Sequence, residues 1–273
     1  MISEGVNAWL KLCTTSKRIH HHCSVGCATH RCSHRNPNLA QVPSDERFRR
    51  LFIPSPGMVM VGSDLSGIEL RMLAHYLARY DGGKYADILL NGDIHAENAA
   101  KIGISRREVK TVTYAFLYGA GDKKIGTSFD GSLGEDQAKR KGKEIRAAYV
   151  DAIEGLSDLL KAVKRAAKRG HVRTIDGRYL SVDKGHIALN YLLQGSAAVV
   201  AKRWMIIADK KLNNHTHQLA FVHDELQYEC PPEHADYLKI LLEESAAESG
   251  KYYNLRIPIA AEAKSGSNWA QVH

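Results

Sequence analysis

Two aspartates, and a stripe of cations and tyrosines, are the residues whose types and spacing could do chemistry. Asp64 follows an apolar run, Met58 to Val61, that reads as a buried strand, and a helical pattern begins after Ser66-Gly67. Asp224 lies in His223-Asp224-Glu225, between two further short strand patterns, Gln218 to Val222 and Leu226 to Cys230. Two aspartates that meet across a sheet can hold two Mg2+ ions about 3.5–4 Å apart, lowering the pKa of an attacking hydroxyl and stabilising a departing phosphate oxygen. Hard carboxylate oxygens suit Mg2+, which keeps waters and shares its remaining positions with substrate phosphates. Taken singly, each acid also fits an ordinary surface strand end.

Arg106, Lys110, Tyr114 and Tyr118 recur at a spacing that forms one stripe along a helix face. Arg106 falls in the first turn, where unpaired backbone N–H groups and the helix dipole already favour an anion. Lys110 adds a point charge one turn on, and Tyr114 a flat ring after that. Phosphates, sugar and base in that order is the layout of a nucleoside triphosphate. A plain basic face with core aromatics fits the same spacing.

The elements that must position these groups can be read from pattern. Ile68, Met72, Leu73, Tyr76 and Leu77 have helical spacing, and Asp81-Gly82-Gly83 should stop that helix. Gly92-Asp93-Ile94-His95 precedes another helical stretch. Ser105-Arg106-Arg107-Glu108 is a capping-box pattern, which predicts a helix from Arg106 to about Tyr118, ended by Gly119-Ala120-Gly121. Residues 135–169 read as two basic amphipathic helices facing solvent, and Asp176-Gly177 as a hairpin turn. A long helix is expected over 186–212, with small residues at Gly195 to Ala198. The His223-Asp224-Glu225 segment reads as a hairpin tip. A last helix is expected over 233–248 and a closing strand over 255–262. Helix dominates and the strands are short and clustered at the carboxylates, which predicts an α+β fold.

Composition bounds the partners. The 273 residues carry 38 Lys and Arg against 30 Asp and Glu, a net charge of +8, which suits a polyanion. No apolar run approaches the roughly 18 residues that span a bilayer, and the N-terminus lacks the pattern of a signal peptide. Five cysteines without a secretion signal argue against a disulfide framework and for a reducing compartment. Residues 20–34 are rich in His and Cys, but Cys23, Cys27 and Cys32 are spaced poorly for a zinc finger. Arg and His side chains touching phosphate is the plainer reading of that stretch.

The motifs together resemble the polymerase region of A-family (DNA polymerase I-like) DNA polymerases, and most of all the phage replicative branch. Asp64-Leu65-Ser66-Gly67-Ile68-Glu69-Leu70-Arg71 resembles the family's motif A. Arg106, Lys110, Tyr114 and Tyr118-Gly119 match motif B, and Val222-His223-Asp224-Glu225 matches motif C. Thr29-His30-Arg31, Pro37-Asn38-Leu39-Ala40-Gln41-Val42-Pro43, Asp176-Gly177-Arg178, Asn190 with Gln194, and Gly266-x-Asn268-Trp269 also fit. The resemblance implies a palm, a small antiparallel sheet with helices, and an inserted all-α fingers subdomain. Residues 1–78 and 186–273 would be palm and 79–185 fingers, with thumb and exonuclease domains absent.

It also implies roles. Asp64, Asp224 and the Leu65 carbonyl would bind two Mg2+, with Lys110 joining the two aspartates in catalysis. Arg106, Lys110 and His95 would hold the triphosphate, Tyr114 would stack near the incoming base, and Glu69 would exclude a ribose 2′-hydroxyl. Arg31, Tyr118, Arg178, Asn190, Gln194 and His223 would contact primer or template. The implied activity is DNA-directed DNA synthesis from dNTPs on primer–template DNA, by the C-terminal piece of a split or truncated phage polymerase. The expected partner is a separate chain carrying thumb and exonuclease; no membrane is involved, and the expected place is the cytoplasm, the host's if phage-encoded. A non-catalytic DNA-binding subunit that kept the fold is the alternative, and a single-subunit RNA polymerase is disfavoured by Glu69 and by the His-Asp-Glu form of motif C. One departure stands out: His30 occupies a position where the family usually has Gly.

Overall fold

The computed structural model describes residues 2–273, with side chains from Val6 onward. The chain opens with α1 (Ile2–Leu12), β1 (His22–Ser24), β2 (Ser33–Arg35), α2 (Glu46–Arg49) and β3 (Val59–Leu65). A helical stretch follows: α3 (Ile68–Leu77), α4 (Lys84–Asn91), α5 (Ile94–Ile102), α6 (Arg106–Leu117), α7 (Asp122–Phe129), α8 (Glu135–Ala152) and α9 (Leu156–Ala167). Then come β4 (His171–Arg173), β5 (Tyr179–Ser181), α10 (Ala188–Asp209), β6 (His217–Val222), β7 (Glu225–Cys230), α11 (Ala235–Tyr252) and β8 (Ala261–Gly266). The fold is α+β, as expected.

Two compact units share the chain: Met1–Ser66 with Ala198–Tyr253 and Pro258–His273, and Gly67–Ala197 with Asn254–Ile257. The first is built on an antiparallel sheet of order β6-β7-β3-β8. Side chains alternate across a strand, so Val61, Leu226, Tyr228 and Cys230 share one face, all essentially sealed from solvent. Helix α11 packs against β3 and β8. The Trp204 indole N–H donates to the Leu242 carbonyl at 2.8 Å, tying the second half of α10 to α11. On the opposite face Met60 joins Leu39, Val42, Ala220, Val222, Trp269 and Val272 in a second apolar cluster, with Trp9, Phe48 and Phe52 packed against it.

The second unit is helical apart from the β4–β5 hairpin. Its tightest seam lies between α7 and α8. A Cβ on Gly126 would sit 1.8 Å from the Ala138 carbonyl oxygen, and one on Gly142 1.8 Å from that of Asp122. Only hydrogen fits between these backbones. His75 of α3 is buried and its Nδ1 accepts from the Arg256 backbone N–H at 3.1 Å.

Several elements differ from the pattern reading. Helices α1, α4 and α7 were not expected from pattern; α4 and α7 are only eight residues each, too short for a decisive apolar period. Residues 22–35 form a paired hairpin, β1 with β2, for which the sequence pattern offered no strand signal. Strand β3 runs through Asp64 to Leu65, and the closing strand begins at Ala261, not Leu255. Helix α11 spans Ala235–Tyr252, later than expected, and α10 is preceded by a 3-10 turn at Gly185–Ile187. Glu225 lies inside β7 and is buried, not exposed at a hairpin tip. Among the described residues no helix is long and apolar enough to cross a membrane.

Two stability predictions follow from these contacts. Helix propensity favours Ala over Gly by about 1 kcal/mol, but Gly126→Ala drives a methyl into backbone, and overpacking costs about 1–3 kcal/mol; the net sign is destabilising and is read from the urea midpoint. Burial, with Arg256 and Arg79 nearby, holds the His75 imidazole down at about 4. The unfolded chain, titrating near pH 6.5, therefore binds the proton first, so stability is full above that pH and falls between about 6.5 and 4 by roughly 3 kcal/mol at most. Denaturation of His75→Gln as a function of pH should show a flatter profile across that window.

Candidate active site

Asp64 is the penultimate residue of β3 and is exposed, whereas Ser63 and Leu65 on either side are buried. Register places it opposite Glu225 of β7 and opposite Glu262 of β8. Asp224 is the second residue of the two-residue turn between β6 and β7, and its carbonyl accepts from the Leu65 backbone N–H at 3.0 Å. The sheet therefore carries both candidate metal acids to the same rim, where β3 ends and β7 begins. His223, the other turn residue, has φ +59°, the left-handed conformation that a tight hairpin turn demands and that a side chain ordinarily avoids.

Like charges in register repel, so this rim needs cations. Arg49 supplies one from α2. It is buried, stacks on Trp269 with its guanidinium carbon 4.7 Å from the ring centroid, and lies 3.7 Å from Glu225 Oε2. Burial lowers its pKa, while the charges of Glu225 and Asp64 act the other way. Burial likewise pushes the Glu225 carboxyl up, but hydrogen bonds from His273 and Trp269 and the charges of His273 and Arg49 outweigh it and leave the group below its ordinary value. Arg49 and the aligned Glu262 were not singled out from sequence; an Arg among basic neighbours carries no spacing signal.

The hard-oxygen donor set, the outward-facing Asp64 and the concentration of acids in register fit a divalent cation better than they fit an isolated strand end. The Leu65 carbonyl belongs to the same strand end. Among the described residues no group of three or more His, Cys, Asp or Glu is arranged to hold a metal, and that includes the Cys/His stretch of residues 20–34. Within that stretch His21 and His34 stack at 5.4 Å, and His34 meets His223 edge-on at 6.3 Å.

The capped helix forms as its sequence requires. Ser105 Oγ accepts from the Glu108 N–H at 3.2 Å, and Glu108 Oε2 accepts from the Ser105 N–H at 2.7 Å. Helix α6 brings Arg106, Lys110, Tyr114 and Tyr118 onto its stripe, with Tyr118 at the C-cap. Helix α5 sets His95 beside it, 6.2 Å from the Tyr114 ring. His95 is buried and its Nδ1 has no protein partner. Burial lowers its pKa, with Arg106 and Lys110 adding to the shift against Asp93, so it is neutral at neutral pH. Arg106 Nε is paired with Asp93 Oδ2 at 2.6 Å, and Tyr118 Oη donates to Glu69 Oε1 at 3.2 Å. Burial, and then the Glu69 charge, raise the Tyr114 phenol. Six predicted residues of the second unit thus stand together.

The remaining predicted contacts are more scattered. Arg31 is half-buried between β1 and β2. Its neighbour His30 has φ +57° and offers its carbonyl to Lys202 Nζ; a left-handed backbone there explains why glycine would serve. Arg178 is exposed and paired with Asp176. Asn190 is buried, its amide donating to the Leu117 carbonyl at 2.9 Å, so it secures the end of α6; Gln194 follows one turn on and is half-buried.

The architecture is that of a polymerase domain. A solved structure titled "POL domain of Pol1 from M. smegmatis complex with DNA primer-template and dNTP" matches with a TM-score of 0.85 at 25% identity, over 99% of this chain and 51% of that one. The sequence model for DNA polymerase family A matches residues 1–271, and the chain belongs to that family. It is 33% identical to the DNA-directed DNA polymerase of Escherichia phage T7 and 32% to that of Enterobacteria phage T3, over 99% of this chain and 43% of each relative. It is 31% identical to DNA polymerase I of Caldicellulosiruptor bescii, over 90% of this chain and 31% of that protein. The chain thus spans less than half the length of these relatives.

The reciprocal cap yields a local prediction. Ser105→Ala should cost about 1 kcal/mol and act on the first turn of α6, where Arg106 sits. Amide exchange at Glu108, whose N–H the Ser105 hydroxyl accepts, should quicken roughly fivefold while that of the α11 amides stays unchanged.

Proposed function

We propose that the chain carries out template-directed DNA synthesis, with the unit holding Asp64 and Asp224 working as palm and the unit holding α6 as fingers. The observation that carries the reading is the pairing of β3 with β7, which delivers two carboxylates to one rim of the sheet in a chain of this family. Asp64, Asp224 and the Leu65 carbonyl would hold two Mg2+ ions. When bound, these would lower the pKa of the primer 3′-hydroxyl and neutralise charge on the departing pyrophosphate.

The chain's own residues do the rest. Arg106 and Lys110 bind the triphosphate at the N-terminal end of α6, where the helix dipole adds to their charge. Neutral His95 offers a ring nitrogen to a phosphate oxygen. Tyr114 presents its ring to the incoming sugar and base. Glu69, held by Tyr118, occupies the place of a ribose 2′-hydroxyl, and a site that leaves a hydroxyl against a carboxylate without room refuses ribonucleotides. The new bond joins the primer 3′-oxygen to the α-phosphorus, the bond to the β-phosphate breaks, and the hydroxyl proton leaves to solvent. Lys110 stands against the negative charge that develops on the leaving group. Arg31, Tyr118, Arg178, Asn190, Gln194 and His223 contact primer or template. A separate chain with thumb and exonuclease functions would add grip on the duplex through phosphate contacts.

Primer extension with dNTPs and Mg2+ tests this, with and without such a partner. Incorporation should fall by about 100-fold or more in Asp224→Ala and Asp64→Ala, and Lys110→Ala should lose rate in the same assay. Glu69→Ala should admit ribonucleotides. DNA binding without incorporation under both conditions would make the chain a non-catalytic subunit, and a preference of the unsubstituted chain for rNTPs would make it an RNA polymerase.

A further inference from the structure

The β4–β5 hairpin leaves one aromatic ring in solvent amid a concentration of cations. Its register pairs His171 with Ser181, Val172 with Leu180 and Arg173 with Tyr179. Alternation turns Val172 and Leu180 inward and sets the other four side chains on the outer face. Tyr179 is 62% exposed there.

That ring is held, not loose. Beneath it, a Cβ on Gly195 would lie 2.4 Å from Leu180 Cδ1, so the hairpin rests on α10 with no gap. His171 meets the Tyr179 ring edge-on at 4.5 Å and 82°. Directly opposite, Arg173 is oriented by a 3.2 Å hydrogen bond from its Nε to the Gly177 carbonyl. Residues 164–186 carry seven Lys and Arg against two Asp, and one of those acids, Asp176, is already paired with Arg178. A pre-oriented aromatic face on a segment rich in Lys and Arg has the composition of a stacking platform for unpaired bases.

We propose that the outer face of this hairpin binds single-stranded DNA, with a base stacked on Tyr179 and the adjoining phosphates on Arg173 and its neighbouring cations. The inference deepens the polymerase reading and rests on it for its substrate, the unpaired template strand. A duplex keeps its base faces stacked on one another and offers the ring nothing, whereas an unpaired strand offers a π-face at every nucleotide. An acidic peptide would answer the charge and leave the tyrosine unused.

The test is fluorescence anisotropy of a labelled oligothymidylate of about 12 nucleotides on the full chain, in EDTA and without dNTPs. Tyr179→Ala should weaken binding by roughly 5- to 100-fold, Tyr179→Phe should stay within about twofold because the ring face is kept, and Arg173→Gln should reduce the salt dependence. Circular dichroism checks that each variant is folded. Equal losses on a blunt duplex, equal losses for Tyr179→Phe and Tyr179→Ala, no loss for Tyr179→Ala, or equally effective competition by polyglutamate would each overturn the proposal. Because no nucleotide is incorporated in this assay, Tyr179-dependent binding alongside absent primer extension would count against the polymerase reading alone. Normal extension with Tyr179-independent binding would count against the hairpin alone.

Discussion

The sheet rim that carries the candidate metal acids depends on a buried carboxylate being satisfied. Glu225 is 5% exposed, and a buried charge without partners costs several kcal/mol. Its Oε1 accepts from the Trp269 indole and from Gln227 Nε2 at 2.6 Å; its Oε2 faces His273 Nδ1 at 3.2 Å and Arg49 at 3.7 Å. Those partners come from α2, from β7 itself and from the segment after β8. Closing this network holds α2 and the last residues against the sheet and presents Asp224 one residue away. A second carboxylate on the same face, Glu229, repeats the device: it takes the Ser55 N–H at 2.7 Å and Arg18 at 3.0 Å.

The two compact units solve their electrostatics differently. In the first, the acids in register meet Arg49 and His273 at Glu225 and Lys264 at Glu262. In the second, cations line a helix face whose first turn already favours anions, and Arg106 is paired through Asp93 at the N-cap of α5.

Much of this was legible in the sequence. The capping box at Ser105 and Glu108, the four-residue spacing from Arg106 to Tyr118 and the Asp-Gly hairpin turn are short-range signals, and each appears where pattern placed it. The misses share a cause. Helices α4 and α7 are short, and α7 is defined by its glycine seam with α8, a contact absent from any local window. The closing strand was placed six residues early because Leu255 to Ile259 is apolar for reasons of packing, with Ile257 and Ile259 buried, and not of strand pairing.

By itself the sequence determined the fold class, the family motifs and the two groups of chemically capable residues, because side-chain type and periodicity are local properties written in order along the chain. Tertiary structure alone decided what surrounds them. Asp64 and Asp224 are 160 positions apart in the chain, and only the β3–β7 register makes them neighbours. Arg49 became a counter-ion, Asn190 a helix anchor and Tyr179 an exposed, braced ring through partners distant in sequence. Burial and pairing depend on which surfaces meet, and that choice is made by the whole folded chain.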